Sequence, residues 1–136
     1  MRMGPGILLI VAFVVMLGIS VRVRSRRKRG IALAAQWNHL QQQRGRRGSG
    51  DLLHVTQVYQ HARRGSKALI TWCDTGHHQD AWFWDWHVPS GAYLLVNASS
   101  GYGPHNKNAN VLYVHPTQVT TWVPAQAPIA AQRQTG

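Results

Sequence analysis

The sequence predicts a single transmembrane helix followed by a small, mainly β domain. A five-stranded SH3-like barrel with one preceding helix is favoured, and an open α+β sheet is the fallback. Three observations carry this expectation: a 19-residue uncharged run from Met3 to Val21, a basic cluster directly after it, and a change to period-two alternation from Lys67 onward. At 136 residues the chain has room for one compact domain and an appendage.

The run "MGPGILLIVAFVVMLGISV" would reach about 28 Å as a helix, close to the hydrocarbon thickness of a bilayer. A cleavable signal would place small residues soon after the apolar stretch, whereas "RVRSRRKRG" follows at once. The positive-inside bias then puts the C-terminal bulk in the cytoplasm, as a single-pass plasma-membrane protein with its N-terminus outside. Residues 1–30 are therefore read as anchor and polybasic flank.

"GIALAAQWNHLQQQ" holds good helix formers with Ile31, Ala34, Trp37 and Leu40 at intervals of three, which predicts an amphipathic stem. "RGRRGSG" follows as a basic glycine linker, so stem and linker together fill 31–50. In "SGDLLHVTQVYQHARRG" Ser49 or Asp51 caps a predicted helix with Leu52, Val55, Tyr59 and Ala62 on one side and Gly65 at its end. Alternating branched residues in the same stretch permit a strand instead.

Residues 51–124 are expected to form the β-rich domain. "KALITWC" (67–73) and "AWFWDWH" (81–87) read as a hairpin around "DTGHHQD", followed by strands in "GAYLLVNAS", "NVLYVHP" and "VTTWVP". Trp82, Trp84 and Trp86 share one face of the second strand. Setting Cys73 opposite Ala81 places Trp72 by Trp82 and Ile70 by Trp84, a register that buries the tryptophan face. The tail "AQAPIAAQRQTG" (125–136) is expected to be flexible.

Charge is unevenly spread. Fifteen basic residues oppose four acidic ones, a formal net charge of +11, and ten of the basic residues precede residue 51. Arg22, Arg24, Arg26, Arg27, Lys28, Arg29, Arg44, Arg46 and Arg47 are thus the expected contacts to anionic lipid headgroups or nucleic acid. There is no glutamate, and one cysteine excludes an internal disulfide.

No constellation selects a reaction. Cys73, His77 and His78, with Asp74, Asp80 or His87, could supply zinc ligands, but the paired Cys-x-x-Cys knuckle is missing. Cys73 as a nucleophile would need His77 or His87 as base and Asp85 as orienter. No catalytic residue, metal or cofactor is assigned. The expected function is a membrane-tethered cytoplasmic protein-interaction module, or a small accessory subunit of a membrane complex. It would touch the lipid bilayer and a protein partner, the latter through Tyr102, His105, Asn106 and Lys107 in the Asn97–Asn110 loop. The alternatives are a membrane-associated nucleic-acid-binding protein and a Cys/His- or zinc-dependent hydrolase.

Overall fold

The computed structural model describes the backbone of residues 5–98 and 110–135, and the side chains of 24–98 and 110–134. A long helix, α1 (Pro5–Arg44), leads into β1 (Asp51–Ala62), β2 (Gly65–Trp72), β3 (His78–Trp84), β4 (Tyr93–Val96), β5 (Val111–Val114) and β6 (Val119–Val123). A second helix, α2 (Gln126–Thr135), ends the described chain. The strands form one six-stranded sheet in the order β5-β3-β2-β1-β4-β6. All neighbours are antiparallel except β3 and β5.

This corrects the expected five-stranded barrel with a preceding helix over 51–64. That segment is β1, and the reason lies in its two-sided burial. Leu53 and Val55 point into the inner core, while Leu52 points to the opposite side against α1, so "LLHV" satisfies two layers at once. Irregularities between Val55 and Gln57, and between Val58 and Gln60, bend the strand. The bent sheet is a half-barrel. Gly50 (φ +95) starts the strand where a Cβ would run into the Val96 carbonyl, so only glycine lets β1 enter beside β4.

The expected hairpin register is also overturned. Ile70 pairs with Gln79 rather than Trp84, and Lys67 rather than Trp72 faces Trp82. The displacement is five residues, an odd number, so every side chain of β3 changes face. Ala81 and Phe83 are fully buried in the inner core with Ala68, Ile70, Leu94, Leu112 and Val114. Trp82 and Trp84 lie on the outer face, half-buried. Trp86, just past the strand, meets Phe83 edge-on at 6.1 Å and Trp122 at 5.3 Å. Buried Ser66 pins this end by donating to the Trp86 carbonyl (2.8 Å) and accepting from the Val88 N–H (3.1 Å).

On the other side of the sheet, α1 and α2 pack on the outer face of β1, β4 and β6. Leu40, Leu52, Leu95, Val123 and Ala127 form that second core, with Trp37 edge-on to Tyr93 at 5.1 Å. Ala34, Ala130 and Ala131 let the two helices approach each other. The stretch expected as a flexible tail is thus a docked helix. Its alanine and glutamine content favours helix, and its Ala127 N–H bonds to the Pro124 carbonyl (3.1 Å) at the first turn.

Among the described residues no helix is long and apolar enough to cross a membrane. The side chains of the Met3–Val21 run lie outside the described residues. The described part of α1 carries Arg24, Arg26, Arg27, Lys28 and Arg29, all exposed, and then docks on the protein through Ala34 and Leu40. The transmembrane anchor, the plasma-membrane topology, the lipid-bilayer partner and the membrane-tethered function are corrected on this finding.

Candidate functional site

The described surface offers three places where chemistry-bearing side chains gather. The first is a groove of about 520 Å³ between the two helices. From α1 it takes Arg26, Arg29, Gly30 and Leu33; from α2 it takes Gln126, Ile129, Ala130 and Arg133. Each set follows the spacing i, i+3, i+4, i+7, so each helix contributes one two-turn stripe. Arg27 joins the rim. Gly30 lies opposite Gln134, and Ala34 packs with Ala130 and Ala131, so the helices run antiparallel. This arrangement gathers the arginines at the end where α2 stops and leaves Leu33, Ile129 and Ala130 as an apolar floor. Ile129 is 51 % exposed.

Among the described residues no carboxylate lines the groove. The chain's four acidic residues, Asp51, Asp74, Asp80 and Asp85, are all on the sheet or its loops. Among the described residues the salt bridge present joins Arg44 to Asp74, and Arg26, Arg27, Arg29 and Arg133 have no carboxylate partner there. Arg133 lies in the last turn of α2, where a cation also offsets the helix dipole.

The second place is the outer face of β1, β2 and β3. Thr56 and Thr71 share a hydrogen bond of 3.0 Å, and Thr71 meets His78 Nδ1 at 2.7 Å. Tyr59 donates to Asp80 (2.7 Å), and Lys67 Nζ lies 5.9 Å from the Tyr59 ring centre. Partial burial, followed by the hydrogen bond to Asp80 and its charge, pushes the Tyr59 phenol up to about 12. Trp82 and Trp84 meet edge-on at 5.5 Å, with His115 stacked on Trp84 at 6.0 Å and Arg64 at 5.9 Å. The two cations here are engaged by rings, and Asp80 is engaged by Tyr59. The charged groups of this face thus have partners, while the buried Trp82 Nε1–H has no hydrogen-bond partner among the described residues.

The third place is the turn between β2 and β3. Trp72 N–H bonds to the His77 carbonyl (2.8 Å) and Gly76 N–H to the Trp72 carbonyl (2.8 Å), with Gly76 at φ +73. The side chains diverge. His78 turns to Thr71, His77 is exposed, and Cys73 lies next to Asp74 and Arg44. Burial pushes the Cys73 thiol up, an effect that Arg44 opposes and Asp74 reinforces. A thiol held toward its neutral form is a poor nucleophile. Among the described residues no group of three or more His, Cys, Asp or Glu could hold a metal ion. The zinc-dependent hydrolase reading is corrected on this finding.

The residues expected to contact anions are separated. Arg26, Arg27 and Arg29 enter the groove, Arg24 and Lys28 stay exposed on α1, Arg44 pairs with Asp74, and Arg46 and Arg47 are exposed in the turn after α1. The side chain of Arg22 lies outside the described residues. A rise of fifteen helical steps, about 22 Å, separates Arg29 from Arg44. Lys67, a possible extension of the track, is engaged over Tyr59, and among the described residues the two arginine groups do not join into one track; the membrane association in the nucleic-acid alternative is corrected with the anchor. Tyr102, His105, Asn106 and Lys107 lie outside the described residues. Sequence reasoning missed the α2 half of the groove, Ile129, Ala130 and Arg133. Their i, i+1, i+4 spacing in an alanine-rich stretch was the available signal.

Comparison of the chain with known family models, with curated proteins and with solved structures finds no match, so the functional reading rests on this geometry.

Proposed function

We propose that the protein is an anion-recognition module whose α1–α2 groove takes a ligand carrying several negative charges. The observation that carries this reading is the set of four arginines, Arg26, Arg27, Arg29 and Arg133, around one groove without a lining carboxylate among the described residues. Like charges held this close repel one another, and an anion that enters relieves the repulsion while accepting forked guanidinium hydrogen bonds. The helices are held by the second core through Leu40 and Ala127, so the rims are presented on a supported scaffold. The aromatic sheet face competes less well as a site, because its charged groups already have partners.

The test is a titration of the full chain with a short oligoglutamate by calorimetry across a salt series. Affinity should fall as salt rises. Replacing Arg26, Arg29 and Arg133 together by glutamine should abolish the binding, while Arg46→Gln with Arg47→Gln in the linker should leave it nearly intact. Equal loss in the two variants would show general charge attraction and would overturn the reading.

A further inference from the structure

The groove is more than a positive patch, and its shape narrows the ligand. We infer that its occupant is an acidic amphipathic helix of another protein, laid along α1 and α2; this deepens the anion-recognition reading and rests on it. Two antiparallel helices that each present an i, i+3, i+4, i+7 stripe form two members of a three-helix arrangement that a third helix completes. The floor of Leu33, Ala130 and half-exposed Ile129 offers apolar contact that a compact inorganic anion cannot use. A helix with leucine-type residues on one side would bury that floor. Acidic residues flanking its apolar stripe would meet Arg26, Arg29 and Arg133.

The chain cannot supply this occupant itself. Its four acidic residues are all aspartates at 51, 74, 80 and 85, and none lies in a helix. Residues 1–4 and 99–109 contain no acidic side chain. A second copy would bring the same net charge of +11 to a groove that is already positive. Charge complementarity therefore selects a different, acidic chain.

The experiment uses the full chain and two synthetic peptides of equal length and charge. One carries Leu at i, i+3, i+4 and i+7 with Glu on the flanks; the other is an oligoglutamate with polar residues in place of Leu. The amphipathic peptide should bind at least tenfold more tightly than the polar one. Ile129→Ser should reduce its affinity about fivefold without altering oligoglutamate binding, and circular dichroism should show the variant folded. Replacing Arg26, Arg29 and Arg133 by glutamine should weaken both peptides. If the two peptides bind equally, or Ile129→Ser changes nothing, the helix inference falls and the anion-recognition reading stands. If the arginine substitutions leave both affinities unchanged, both fall.

Discussion

Replacing Phe83 by alanine tests the assignment of the two faces of β3. Phe83 is completely shielded from solvent and packs with Ile70, Leu112, Val114 and the edge of Trp86. Removing about 150 Å² of apolar surface at about 25 cal/mol per Å² costs nearly 4 kcal/mol, and an unfilled cavity keeps the total at about 3–5 kcal/mol. Trp84, the next residue but with its side chain outside, is half-buried and makes ring contacts with Trp82 and His115. Those contacts add about 0.5–1.5 kcal/mol each to the area they bury, but Trp84 already keeps part of its surface in water and leaves no closed cavity, so Trp84→Ala should cost less than Phe83→Ala. Urea unfolding followed by far-UV circular dichroism measures both without relying on tryptophan emission. A Trp84→Ala cost equal to or above that of Phe83→Ala would refute the register and return the tryptophans to the core.

Ser66→Ala should destabilise by about 1–3 kcal/mol in the same assay, because it leaves the buried Val88 N–H without its acceptor. Tyr59, whose phenol is raised above its usual value of about 10, contributes stability that is fully present below pH 10 and lost as pH rises through about 12. Asp80→Asn should shift the tyrosinate absorbance titration of Tyr59 downward; an unchanged curve would remove Asp80 as a cause. Arg44→Gln should slow alkylation of Cys73 at mildly alkaline pH a few-fold, since Arg44 is the group that lowers this thiol against the effect of burial. Faster alkylation would show that Arg44 instead shields the sulfur.

The strand-forming stretches at 67–73 and 81–87 were legible because β-branched and aromatic residues cluster there. Their register was not. "AWFWDWH" alternates apolar side chains on both faces, so either face can be placed inward, and the choice falls to distant partners such as Leu112 and Val114. The 51–62 stretch misled for a related reason. A strand buried on one side by the half-barrel and on the other by α1 loses the alternation that marks a strand facing water, and Leu52, Val55 and Tyr59 imitate a helical face. For the groove, the α1 arginines were conspicuous as a charge run. Their meeting with Arg133 depends on α2 folding back along α1, a contact between residues about a hundred positions apart that local pattern does not encode.

The strand order has a consequence for how the chain can be assembled as it is synthesised. After α1, β1 is the first strand made, and it lies inside the sheet with β2 and β4 on its two sides. Each later strand then adds to an edge that is open when it emerges: β2 on β1, β3 on β2, β4 on the free side of β1, β5 outside β3 and β6 outside β4. No strand has to be inserted between two that are already paired. Accretion in this order closes short loops first across β1, β2 and β3, keeping the early entropic cost low. The arginine groove comes last, since it does not exist until α2 has been made and has settled against the first helix of the chain.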